Sequence, residues 1–175
     1  LVGATGEPDA ILATGRALAE RALPGFVKGL CSHLPAAVPV EIETVEATRF
    51  AAVKTGCDAN CVMMTVSSPN SPDALVMIAD SMAVAYLVSV LFGGDPDDSV
   101  MPIDRPLSPT EIEVAAMIFE EAAKAANGSG ERSFAFDLPL PRPITGTALA
   151  KHVVRDGPAV RLVFAIGTGE TRGKL

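Results

Sequence analysis

The apolar positions of this chain fall into two alternating regimes, one of helical period and one of strand period. Ile11/Leu12, Gly15, Leu18/Ala19, Ala22/Leu23, Phe26/Val27 and Leu30 recur at helical spacing, with Arg16, Glu20 and Lys28 largely off the stripe. A helix is therefore expected from Asp9, after a frayed lead-in over residues 1–9, with a kink or break at Pro24-Gly25. Pro35 to Pro39 reads as a turn. Val40-Glu41-Ile42-Glu43-Thr44-Val45-Glu46 then alternates as a strand with one wet, acidic face. Cys61 to Val66 and Ala74 to Ala79 read as two further strands, with Ser67 to Asp73 as the turn between them. Asp80 or Ser81 is placed to cap a helix over Met82 to Phe92, which Gly93-Gly94 ends.

Gly93 to Leu107, rich in Gly, Pro and Asp, reads as a loop between two halves. Ser108-Pro109-Thr110-Glu111 gives the sharpest local signal: Ser as N-cap, Pro at N1, and Glu at N3 reaching back to the Ser amide. Ile112, Ala115/Ala116, Phe119, Ala122/Ala123 and Ala126 form the buried stripe of the helix that follows, Glu120 and Lys124 pair outside it, and Asn127-Gly128 stops it. Strands are expected over Ser133 to Leu138, Ile144 to Val154 and Val160 to Ile166. A helix followed by about three mostly antiparallel strands thus occurs twice. That repetition predicts an α/β fold, a pseudo-two-fold symmetric α/β/α sandwich with a mostly antiparallel central sheet. Residues 10–175 would form one domain with halves of about 10–92 and 108–175, and on that logic the second half lacks a closing strand and helix.

Composition narrows the functional classes. The 175 residues are 49% hydrophobic and 5% aromatic, and 14 Lys+Arg against 21 Asp+Glu leave a net charge of −7. An acidic chain poor in stacking rings is a poor nucleic-acid binder. The most apolar window, Ala74 to Phe92, is long enough for a membrane span by hydropathy alone. Asp80 near its middle and the missing Lys/Arg anchors argue instead for a strand followed by a capped helix, with no membrane insertion. The three cysteines match no disulfide framework and fit a reducing cytoplasm.

No arrangement in the sequence spells out a catalytic centre. Cys31, His33, Cys57 and Cys61 are the residue types of a zinc site, but the first two fall at a helix end and the others flank a loop, so small buried side chains are the simpler reading. Asp95, Asp97, Asp98 and Asp104 miss the calcium-loop register, which would put Val100 where Gly is needed and Pro106 where the bidentate Glu belongs. Gly167-Thr168-Gly169 is followed by Arg172 where a dinucleotide fingerprint needs its third Gly. With only His33 and His152 present, no hydrolase triad assembles. No cofactor is implied. What remains is Phe92-Gly93-Gly94-Asp95-Pro96 at a helix C-terminus, where one left-handed residue would stop the helix. The second glycine leaves room for close approach of a partner backbone.

At this loop the chain resembles the middle domain of the flagellar motor switch protein FliM. The residues that carry the likeness are Leu91-Phe92-Gly93-Gly94-Asp95, the acidic loop after it, and the Arg105-Pro106-Leu107-Ser108-Pro109-Thr110-Glu111 helix start. Phe26 to Val45 and Ala74 to Phe92 also match the family's order of elements.

The resemblance implies a non-enzymatic component of the cytoplasmic rotor ring, with the fold of the CheC-type phosphatases, at the cytoplasmic face of the flagellar basal body. It implies contact with FliG through Gly93 and Gly94, with Phe92 at the base of the loop and Asp95 at its tip. Neighbouring copies would meet through the helices that contain Arg16 to Lys28 and Pro109 to Ala126. FliN and phosphorylated CheY would bind through segments other than these residues. Pro96 stands where the family usually has a further glycine, which stiffens the loop. The alternative is a CheC-like phosphatase acting on phosphorylated CheY. Against it, Glu111 is followed three residues later by Val114, and Glu113 by Ala116, so the Glu-x-x-Asn pair of those enzymes is missing.

Overall fold

The computed structural model describes residues 8–175, except 56, 58–59, 69–70, 128–135, 137, 154–155 and 170–171. Its first element, α1 (Pro8–His33), runs through Pro24 without interruption. Pro24 removes one hydrogen-bond donor, but Ala22, Phe26 and Leu30 on both sides of it are buried in the core. The helix therefore continues without the break expected at Pro24-Gly25.

Strand β1 (Val40–Arg49) extends three residues beyond the expected Glu46. A bulge between Ile42 and Thr44 shifts its phase, so that Val45 returns to the side of Ile42 where strict alternation would have sent it outward. A short 3-10 turn (Phe50–Ala52) leads towards β2 (Val62–Ser68), which pairs antiparallel with β3 (Ser71–Ala79). Both strands reach into the stretch expected to be a turn, and their register continues to Ser68 opposite Ser71. Helix α2 (Ser81–Leu91) is capped by Asp80, whose carboxylate accepts from Ala83 N at 2.7 Å.

The second half likewise opens with a long helix. Helix α3 (Pro109–Ala126) carries the expected capping box and ends at Asn127, whose side chain bonds the backbone of Phe136. Most of the strand expected over Ser133 to Leu138 lies outside the described residues. The strand expected over Ile144 to Val154 is corrected to a two-residue β4 (Ile144–Thr145) followed by α4 (Gly146–Lys151). Pro139, Pro141 and Pro143 just upstream cannot donate to a ladder, and Gly146 turns the chain at a φ of 52°. Strands β5 (Pro158–Ile166) and β6 (Gly173–Lys174) complete the chain order.

The described strands form two three-stranded antiparallel sheets, ordered β1-β5-β6 and β3-β2-β4. A hydrogen bond from Asp80 N to Lys174 O at 3.0 Å ties the end of β3 to β6 and so joins the two. The pairing has an internal symmetry. In each sheet one edge strand, β1 or β4, comes from one half of the chain and the other two strands come from the other half. Helices α1 and α3 run in opposite directions against each other, and with α2 and the inner sheet faces they enclose one core built around Phe26, Leu30, Met64, Tyr86, Leu87, Ile118 and Phe119. Phe26 meets Phe164 of β5 edge to face, ring centroids 5.8 Å apart. A smaller cluster of Cys61, Met63 and Leu149 lies apart from it, with Ile144 packed against it.

On the outer face of the first sheet the charged side chains of β1 stay exposed. Glu41, Glu43 and Glu46 of β1, expected to be a wet acidic stripe, pair with Arg172, Lys174 and Arg161. Lys174 sits opposite Ala165 on one side of β5, and its ammonium reaches Glu43 on the other side at 3.1 Å. Its aliphatic stem therefore crosses the middle strand. This explains why Val163 and Ala165 are buried although neither belongs to a core cluster.

Candidate functional site

The segment Phe92 to Asp98 hangs from the C-terminus of α2, and its geometry begins with the last turn of that helix. Gly93 N donates to Val90 O at 3.0 Å, and Gly94 N donates to Ser89 O at 2.8 Å. These paired bonds are a Schellman motif, in which the residue after the C-cap must be left-handed, and Gly93 has a φ of 90°. Gly94 has a separate requirement. A Cβ there would collide with Ser89 Oγ and stand 2.9 Å from Ser89 O. The helix end alone thus requires both glycines.

Beyond the glycines the loop is a fixed structure. Asp95 O accepts from Asp98 N at 3.0 Å, closing a turn with Pro96 at its second position, where the ring's fixed φ fits. Asp95 Oδ1 also accepts from Asp97 N at 3.0 Å. Pro96 O receives two long-range donors, the Tyr86 hydroxyl at 3.0 Å and the Thr168 hydroxyl at 3.4 Å. Tyr86 is buried among core side chains, and burial together with the nearby Asp97 and Asp95 carboxylates pushes its hydroxyl pKa up, keeping it protonated as a donor. On this frame Phe92 stands 74% exposed and Asp95 points to solvent.

The far end of the loop is clamped in turn. Arg105 reaches both carboxylate oxygens of Glu111, at 2.9 and 2.8 Å, and Ser108 N donates to the same carboxylate at 2.6 Å. These donors, Arg105 foremost, hold the Glu111 carboxyl at a pKa of about 2, against the opposing effect of burial. Asn60 Nδ2 donates to Ile103 O at 3.0 Å, fixing the stretch between Asp98 and Arg105.

The sequence-predicted residues Phe92, Gly93, Gly94 and Asp95 therefore form one contiguous, braced element. Tyr86, Thr168 and Arg105 also shape it and were not among the expected contact residues. Tyr86 had a signal, since a tyrosine on a buried stripe needs a hydroxyl partner; Thr168, in the other half of the chain, had none. The candidate zinc residues are separated. His33 lies in the last turn of α1 with its Nε2 3.3 Å from Glu121, whereas Cys57 and Cys61 belong to the small cluster beside α4. Among the described residues no three His, Cys, Asp or Glu side chains are grouped to hold a metal ion, and no helix is long and apolar enough to cross a membrane.

Comparison with known proteins rests on structure, because no sequence family model and no curated protein sequence matches the chain. A FliM–SpeE complex from H. pylori superposes with a TM-score of 0.73 at 11% identity, covering 97% of this chain and 87% of that one. A FliG–FliM complex from H. pylori gives 0.65 at 13% identity, with 94% and 90% covered. Thermotoga maritima FliY gives 0.66 at 14% identity, with 97% and 89% covered. At these identities the likeness speaks for architecture, and on that ground the chain has the CheC-like α/β fold of FliM middle domains.

Proposed function

We propose that the chain is a non-enzymatic component of the flagellar motor switch, part of a cytoplasmic rotor ring at the basal body that controls rotation and its switching in chemotaxis. In this reading it binds FliG through the element Phe92-Gly93-Gly94-Asp95, and it binds neighbouring copies of itself through the outer faces of α1 and α3. FliN and phosphorylated CheY engage through segments other than residues 1–175.

The observation that carries the reading is the display of Phe92. A large apolar side chain standing 74% exposed on a helix stop that is itself braced is arranged for contact rather than for folding. The same fold in a FliG–FliM complex supports FliG as the protein it meets. The phosphatase alternative is disfavoured by the use made of Glu111. Its carboxylate accepts three hydrogen bonds, two from Arg105 and one from Ser108 N, and so is engaged in holding the helix start.

The structure also dictates which variant tests the reading. Bulky residues at Gly93 or Gly94 would break the Schellman motif, so a loss of binding there would be ambiguous. Phe92→Ser removes only an exposed ring. It is expected to leave the thermal midpoint unchanged and to weaken FliG binding, measured by calorimetry, by about tenfold or more. Unchanged binding would refute the loop as the contact, and a wild-type chain that does not bind FliG would refute the partner.

A further inference from the structure

We infer that Met101 is a second anchor of the partner-binding surface, and that the partner segment it meets is an apolar patch rimmed by Lys or Arg. The inference rests on the reading of Phe92 as a FliG contact and extends it to the other arm of the loop.

Among the described residues four large hydrophobic side chains are exposed, and two of them, Phe92 at 74% and Met101 at 82%, lie on the one loop segment that joins α2 to α3. Met101 is not exposed because its chain is loose. Val100 and Ile103, on either side of it, both pack against the main core, and the Ile103 carbonyl is held by Asn60 at 3.0 Å. The backbone is thus fixed at both ends while the thioether points outward. Phe92 is presented in the same manner, by the helix stop on one side and the doubly bonded Pro96 carbonyl on the other. An outward apolar side chain on a fixed backbone loses little conformational freedom on binding, which is what an interface anchor requires. Methionine, unbranched and polarisable, adapts to a partner surface with little penalty.

The charge around these two residues specifies the partner further. Asp95, Asp97, Asp98 and Asp104 lie on the same segment, and none of them is ion-paired among the described residues. Its single cation, Arg105, is ion-paired with Glu111 and also feels the charge of Asp104, which leaves Asp95, Asp97 and Asp98 without an ion pair among the described residues. The two apolar anchors therefore sit in an acidic field, and a partner of complementary charge is basic around its apolar patch.

The experiment uses the whole chain and FliG in titration calorimetry at two salt concentrations. Four proteins are compared: wild type, Phe92→Ser, Met101→Ser and the double variant Asp97→Asn/Asp98→Asn, each checked for an unchanged unfolding midpoint. Met101→Ser is expected to weaken binding about tenfold, and the Asp variant to bind more weakly at low salt with a flatter salt dependence. If Phe92→Ser loses binding while Met101→Ser binds as wild type, the second anchor is overturned and the FliG reading stands. If the Asp variant matches wild type at both salt concentrations, the basic rim is overturned. If wild type does not bind FliG at all, the FliG reading and this inference fall together.

Discussion

A single carboxylate links the loop to the helix that follows it. Glu111 closes the capping box of α3 and is the anchor on which Arg105 folds back. Glu111→Gln removes the charge and keeps the shape. It is expected to cost about 1–2 kcal/mol of folding stability at neutral pH, read from chemical denaturation. Because the folded carboxyl titrates at about 2 rather than at the ordinary 4.5, its contribution is present in full above pH 4.5 and is lost as pH falls from there towards 2. The stability difference between wild type and the variant should shrink across that window; a difference independent of pH would contradict the assignment. The Ser108, Pro109 and Glu111 roles were legible in the sequence because a helix start is decided within four residues. The Arg105 clamp was not, since an arginine on a loop has many reachable acceptors and only the folded chain selects one.

Between elements, the contact that sets the architecture is the crossing of α1 and α3. Gly29 forms a notch in α1 into which the Glu121 carboxylate of α3 is inserted, and a Cβ at Gly29 would stand 3.0 Å from the Glu121 carboxyl carbon and closer still to one oxygen. Lys124 at 2.9 Å and His33 at 3.3 Å complete the surroundings of that nearly buried carboxylate, and Arg21 bonds the Ala126 carbonyl at 2.9 Å further along. Gly29→Ala should gain helix propensity yet destabilise the protein by about 1–3 kcal/mol, because it expels Glu121 from the notch. In the Glu121→Ala background the same substitution should cost clearly less; equal costs in both backgrounds would show that the notch does not matter. Helix and strand periods marked out α1, β1, β2, β3, α2, α3 and β5 in the sequence. At Pro24 the helical period prevailed over the proline, whereas backbone chemistry overrode the pattern at the bulge following Ile42 and after Thr145, where Gly146 turns the chain into α4.

For the whole molecule, the repeat of helix and strands was readable, whereas the exchange of strands between halves was not, since cross-strand pairing leaves no trace in local composition. The negative charge likewise changed meaning on folding. The glutamates of β1 are paired across the first sheet, whereas Asp95, Asp97, Asp98 and Asp104, on the loop with the two exposed apolar side chains, have no ion pair among the described residues. The exchange also bears on how the chain can be assembled and divided. β1 adds to the sheet of the second half and β4 to that of the first, so neither half alone holds a complete sheet, and the chain must bring distant segments together before either closes. If it is cut between Gly93 and Leu107, the two pieces should remain unfolded when expressed separately and fold when mixed, as followed by circular dichroism. A half that folds alone would contradict this. The two halves are thus interlocked by a reciprocal exchange of edge strands, and the connecting loop, which contributes no strand to either sheet, is on the proposed function the part that meets other proteins.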